Sequence, residues 1–189
     1  MISSARLHIR LAHTDDSTAL LAFELENRRH FEQWIASRGA AFYTPDNVRE
    51  SLRQAQWQAQ AQQELHYLAW YGDEIVGRIT LRGIEKKDYF RATLGYRFSA
   101  RHGGQGYATE AVSAVAHHAF ATLGLWRIEA MVIADNHSSL AIMRKCGFTQ
   151  FGHAHSALLR NGKWMDLLYF ERHANHSEDV AVGSASPDQ

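Results

Sequence analysis

Apolar and polar side chains alternate over residues 6–11, where Leu7, Ile9 and Leu11 share one side, and this period of two predicts an opening strand. Thr14-Asp15-Asp16 supplies the short polar side chains that start a helix, which is expected to reach about residue 38 with room for one break. A second such signal, Thr44-Pro45-Asp46-Asn47, opens a Gln/Ala-rich run over residues 48–63 that reads as a mostly exposed helix. The period then changes. Residues 65–71 and 74–81 are aromatic and β-branched and flank the tight-turn pair Gly72-Asp73, so they predict a hairpin; residues 89–99 supply a further strand. Ala108, Ala111, Val112, Val115, Ala119, Phe120 and Leu123 recur at spacings of three and four, the buried stripe of a helix that Gly124 ends. Residues 127–134 predict a short strand, 138–145 a short helix, and 148–159 with 164–171 a last pair of strands around the Asn161-Gly162 turn.

The order β-α-α-β-β-β-α-β-α-β-β predicts an α/β chain of the α+β type. Its mixed, mostly antiparallel sheet has helices on both faces, with the parallel crossover in the second half. Composition narrows this to one domain: 189 residues with 46% apolar and 21% charged side chains suit a single core. Residues 1–172 are read as that domain. Residues 173–189 hold three acids, no Lys or Arg and no periodic apolar face, and are read as a disordered tail.

Twenty Lys+Arg balance twenty Asp+Glu, and without the three acids of residues 173–189 the remainder carries 20 against 17, or +3. Nothing global draws such a chain to nucleic acid or to an anionic membrane, so neither partner is expected, and any anion must be held locally. A lone cysteine, Cys146, excludes an internal disulfide and a CxxC site. His117 and His118 are adjacent and diverge around a helix, so no metal is expected. With no apolar run of spanning length and no signal-like segment at the start, the expected location is the cytoplasm, as a monomer or homodimer.

The most informative stretch lies between a strand and the amphipathic helix: Gly95-Tyr96-Arg97-Phe98-Ser99-Ala100-Arg101-His102-Gly103-Gly104-Gln105-Gly106-Tyr107-Ala108-Thr109-Glu110. Glycines there allow backbone N–H groups to converge on an anion, and the helix N-terminus adds roughly half a positive charge. Such a loop serves either as a phosphate cradle or simply as a turn. A P-loop needs Gly-Lys-Ser/Thr, which is missing, and the dinucleotide fingerprint needs a glycine where Thr109 stands.

Arg101-x-x-Gly104-x-Gly106-x-Ala108, followed by Asn136-x-x-Ser139 and Lys145-x-Gly147-Phe148, resembles the paired signature segments of the Gcn5-related N-acetyltransferases, the GNAT superfamily. Glu26-Asn27-Arg28 with Phe31 and Trp34, Leu94-Gly95-Tyr96, Arg127-Ile128-Glu129-Ala130 and Asn161-Gly162-Lys163-Trp164-Met165-Asp166 resemble its RimJ/RimL branch, the ribosomal-protein alanine N-acetyltransferases. The resemblance covers residues 6–172. It implies a sheet that splays open and an acetyl-CoA whose pyrophosphate lies on the amides of Arg101, His102, Gly103, Gly104, Gln105, Gly106, Tyr107 and Ala108. The pantetheine would run along Tyr96, Arg97 and Phe98, with Asn136, Ser139 and Lys145 completing the cofactor contacts. Direct transfer to an amine is the implied reaction.

Transfer needs a neutral amine, a polarised thioester carbonyl and a proton for the departing thiolate. An α-amine near pKa 7.7–8.0 is already roughly 10–20% neutral at pH 7, a lysine near 10.4 only about 0.04%. Glu129 is the base that the resemblance implies, read equally well as a strand carboxylate in a salt bridge; His153 and His155, two apart and on one strand face, offer the same proton chemistry. Many relatives use a tyrosine as the acid where Met143 stands here, and a thioether has no proton to give. In the RimL type the acid is a serine matching Ser139, whose alternative reading is a helix-cap residue. The RimL-type base falls at about Leu158, so it is missing. Trp34 and Trp164 are candidate walls of the acceptor cleft. The expected acceptor is a protein N-terminus. The alternatives are a small amine, for which Glu24, Glu26 and Glu32 would provide an acid-lined cleft, and a non-catalytic acyl-CoA-binding module.

Overall fold

A computed structural model describes residues 1–174. Its eight strands form one sheet in the order β1-β2-β3-β4-β5-β6-β8-β7. These are β1 (Ile2–Ser3), β2 (His8–Leu11), β3 (Leu65–Tyr71), β4 (Glu74–Glu85), β5 (Arg91–Phe98), β6 (Arg127–Ile133), β7 (Thr149–Arg160) and β8 (Lys163–His173). Every neighbouring pair is antiparallel except β5–β6, which is parallel because helix α3 (Tyr107–Ala121) makes the crossover between them. Helices α1 (Ser17–Glu32) and α2 (Pro45–Gln60) cover one sheet face, and α3 with α4 (His137–Lys145) the other.

The periodic stripe of α3 is the centre of the larger core. Ala111, Val112, Val115, Ala116 and Ala119 are wholly buried against Val76, Ile79, Leu81 and Ile128, and small side chains at these positions let the helix sit close to the sheet. On the opposite face Leu20, Phe23, Phe31, Val48 and Leu52 close over Leu68 and Ile75. The mixed α/β architecture with helices on both faces is therefore the one expected.

Element bounds differ from the sequence reading by a few residues in several places, with β4 running on to Glu85, and three differences have a clear cause. The first helix ends at Glu32 rather than near residue 38, because the Phe31 carbonyl takes both the Trp34 and Ile35 amides at 2.9 Å and the chain tightens out of α geometry. Two N-terminal residues add β1, too short to show a period. Residues 173 and 174, expected in the tail, belong to the fold: His173 ends β8, and buried Ala174 donates its amide to the Trp126 carbonyl at 2.9 Å. The rest of the expected tail lies outside the described residues. Among the described residues no helix is long and apolar enough to cross a membrane.

The feature that matters for chemistry is where β5 and β6 part. Their register runs from Arg91↔Arg127 to Leu94↔Ala130 and stops, while β5 continues to Phe98 paired only with β4. One edge of Gly95–Phe98 is thereby left without a ladder partner, a row of backbone donors and acceptors facing a cleft.

Candidate active site

The loop that follows β5 is held from both sides. Asn27, 2% exposed on α1, accepts the Ala100 amide on Oδ1 and donates from Nδ2 to the Phe23 carbonyl, each at 2.9 Å. Arg6 reaches the other end, donating to the Gln105 carbonyl (3.0 Å) and to Glu110 Oε2 (2.8 Å) with its guanidinium 4.4 Å over the Tyr107 ring. Between these clamps Gly104 and Gly106 adopt φ +74° and +82°, conformations that a side chain would strain. Gly106 is the N-cap of α3 and brings no side-chain cap, so the first amides of the helix are left to a ligand.

Loop, strand edge and helices enclose a cavity of about 460 Å³. The end of α1 and the turn beyond it contribute His30, Phe31, Trp34 and Ile35; the free edge of β5 contributes Tyr96, Arg97 and Phe98. His102, Gly103, Gly104, Gly106, Tyr107 and Ala108 form the loop side, and Asn136, Ser138, Ser139, Ile142 and Lys145 the α4 side. Two polar atoms of residues on this wall, Ser99 Oγ and His102 Nδ1, are buried with no hydrogen-bond partner. The uncapped amides fit the phosphates of acetyl-CoA, and the free β5 edge fits its amide-bearing arm.

On the cavity wall the Tyr96 hydroxyl lies 2.7 Å from Ser139 Oγ and donates to the Ser139 carbonyl at 3.3 Å. Capping of α4 is done by Asn136, whose Oδ1 accepts the Ser139 amide (3.1 Å) and the Ser138 hydroxyl (2.9 Å), so the Ser139 hydroxyl is released from that duty. Burial pushes the Tyr96 phenol well above its ordinary value, which keeps its proton in place at neutral pH. Met143 is fully buried in the core.

Four expected residues stand apart from the cavity. Arg101 pairs with Glu74 and, at 3.8 Å, with Glu26. Gln105 belongs to the loop but does not line the cavity. Glu129 sits in the paired part of β5–β6, opposite Thr93, ion-paired with Arg91 (3.3 Å) and Arg127 (3.1 Å). Trp164 is 60% exposed at the start of β8. The acidic cleft expected from the first helix does not form either: Glu24 is held by Arg78 and Arg97, Glu32 by Arg28, and Glu26 faces Arg101.

Ser99, His30, Ile35 and Ile142 were not anticipated as cavity residues. Ile35 lies four residues from Phe31 and His30 four from Trp34, so fixing one pair on the wall brings the other. Away from the cavity, His153 Nε2 and His155 Nδ1 lie within hydrogen-bond distance of Asp166 Oδ2, at 2.8 and 3.0 Å.

The acetyltransferase (GNAT) domain family matches residues 6–149. The chain belongs to the GNAT acetyltransferases. This N-acetyltransferase is 31% identical over 168 residues to the probable N-acetyltransferase YjcK of Bacillus subtilis (strain 168), covering 88% of this chain and 93% of that protein. It is 25% identical to the ribosomal protein uS5-alanine N-acetyltransferase of Escherichia coli (strain K12) over 87% of this chain and 86% of that one. In fold it is similar to the ribosomal-protein-S5-alanine acetyltransferase of Vibrio fischeri, with a TM-score of 0.87 at 23% identity over 94% of this chain and 98% of that one. Mycobacterium smegmatis RimJ in complex with CoA-disulfide follows at 0.83 and 24% identity, over 89% of this chain and 82% of that one.

Proposed function

We propose that this enzyme acetylates the N-terminal α-amine of a protein, of the ribosomal-protein alanine type, using acetyl-CoA in the cytoplasm. The observation that carries the reading is the Tyr96–Ser139 hydroxyl pair on the wall of a cavity that runs from the glycine loop to the end of α1. Relatives whose names specify ribosomal protein uS5 alanine support the acceptor.

Acetyl-CoA supplies an activated acetyl group on a thioester. The Gly103 amide is taken by the Ala100 carbonyl at 3.0 Å, so the loop amides from Gly104 to Ala108 are the ones that would hold its phosphates, and the free edge of Gly95–Phe98 would orient its arm. Ser139 gives the proton that the sulfur needs when the C–S bond breaks, Tyr96 lies 2.7 Å away and positions its hydroxyl, and the proton that the attacking amine releases to water returns to the Ser139 oxygen. The attacking nitrogen loses its proton to solvent water. For an α-amine this asks little of the protein, since roughly 10–20% is neutral at pH 7. Glu129, with two arginine partners, serves the β5–β6 junction in this reading.

The small-amine alternative is less well supported, because the acids that would attract a cation are each bound to arginine. The test is acetyl transfer to N-terminally varied peptides beside a panel of polyamines and amino-sugars, read by mass. Label on peptide α-amines is expected; label confined to the small amines overturns the protein-acetylation reading, and no label at all favours the non-catalytic module.

A further inference from the structure

The charge on the α1 side of the cleft does not balance. Glu24, 1% exposed, offers one oxygen, Oε1, to two guanidinium groups: Arg78 Nη1 at 3.2 Å and Arg97 Nη2 at 2.9 Å. Arg78 and Arg97 are direct partners across β4 and β5 and lie on the same sheet face, beneath α1. Arg78 passes its other nitrogen, Nη2, toward His66 Nδ1 at 3.3 Å, while His66 Nε2 faces Glu64 at 3.1 Å. Burial and the surrounding arginines push His66 down to about 3, so it is a neutral acceptor that neither adds nor cancels charge.

Burial first, and then neighbouring arginines including Arg38 and Arg82, disfavour the charged forms of both buried arginines, while Glu24 favours them. Glu32, the next acid along α1, is held by Arg28 (2.9 Å) and Ser37 (2.6 Å). Two largely desolvated cations therefore share one carboxylate, with further positive charge nearby. Glu64 reaches only the Arg78 side, through neutral His66, so among the described residues Arg97 has no carboxylate beyond the shared Glu24; it is 12% exposed and lines the cavity beside Phe31 and Trp34.

We propose that the acceptor carries an acidic group close to its reactive amine, and that Arg97 receives it at the α1 end of the cavity. This rests on reading that end as the acceptor site. On a peptide acceptor the group is an Asp or Glu side chain in the first few residues; on a small acceptor it is a carboxylate or phosphate. The glycine loop holds the phosphates of the acetyl donor on the α3 side of the sheet, so the donor leaves this charge unmatched.

The experiment compares matched acceptors that differ only in charge. These are peptides with Asp and Glu after the free α-amine against the same peptides with Asn and Gln, and small amines with a carboxylate or phosphate against neutral and cationic ones. A charge-assisted contact of this kind is expected to raise kcat/KM for the acidic members by about tenfold or more. Arg97→Gln should bring the acidic-to-neutral ratio toward one. If peptide α-amines are labelled without regard to charge, or cationic acceptors are preferred, the inference fails while the acetyltransferase reading stands. If only small amines are labelled, the protein-acceptor reading fails and the charge ratio among them still decides. If nothing is labelled, calorimetry of the N-acetylated acidic and neutral peptides with the CoA-loaded enzyme takes over: selective binding of the acidic peptide supports the subsite, and equal or absent binding overturns it.

Discussion

Replacing Glu24 by Gln removes a carboxylate from between two buried guanidinium groups while keeping nearly the same shape. Arg78 is 5% and Arg97 12% exposed, and both lie within 3.2 Å of the same oxygen, so neither finds water readily once the charge is gone. Breaking a buried ion pair from one side costs about 3–5 kcal/mol. Arg97 opens on the cavity and recovers some hydration, which puts the expected loss near the low end, about 3 kcal/mol. For a chain of this size that is a fall in melting temperature of about 6–12 °C. Urea unfolding followed by circular dichroism measures the loss, with calorimetry for the midpoint. Combining Glu24→Gln with Arg97→Met should recover part of it, since one of the two stranded cations leaves with its desolvation cost. A loss below about 1 kcal/mol, or a double variant no better than the single one, would refute the reasoning: the arginines would then be solvated and the charge surplus at the cleft would not exist.

Other expectations follow from single features. A Cβ at Gly77 would stand 2.1 Å from Phe98 Cε1, so Gly77→Ala should push that ring into the cavity, destabilise by about 1–3 kcal/mol and weaken acetyl-CoA binding; unchanged affinity by calorimetry would contradict this. Burial raises the Cys146 thiol to about 11, and the native enzyme should resist iodoacetamide at pH 8 until urea unfolds it; rapid native labelling would contradict it. The Ser156 amide first, then His153 and His155, hold the Asp166 carboxyl down to about 2. Its folded value lies below the unfolded one, so its contribution is present above about pH 4 and lost as pH falls through 2. The stability gap between wild type and Asp166→Asn should therefore shrink between pH 5 and pH 2, and a gap independent of pH in urea titrations would count against it.

How much of this was readable from the chain varied with the physics involved. The α3 stripe and the β3–β4 and β7–β8 hairpins were legible because local period and turn chemistry dictate them, and Asn161-Gly162 indeed turns with both residues at positive φ. The end of α1 was not, since it depends on how the Phe31 carbonyl is shared. Of the site, the loop and the α4 cap could be found through their spacing. The Tyr96–Ser139 contact joins residues 43 apart in sequence and exists only because β5 and α4 meet at the split. In the sequence Glu24 reads, with Glu26 and Glu32, as an acid lining the cleft. Only the sheet register, which sets Arg78 against Arg97 beneath it, shows that it is a buried counter-ion. Gly77 likewise carried no signal, because its reason is the Phe98 ring lying across it.

Transfer in this cavity is tested most directly by kcat for Ser139→Ala, Tyr96→Phe and the double variant at saturating acetyl-CoA, measured beside acetyl-CoA affinity. Loss of the proton donor should lower kcat by about 10²–10⁴ for Ser139→Ala, with Tyr96→Phe intermediate and the double variant no worse than about the first alone, since the pair acts as a unit. Affinity should stay within a few-fold, because Asn136 still caps α4 through the Ser139 backbone. A kcat within twofold of wild type in the double variant would contradict the role given to these two hydroxyls.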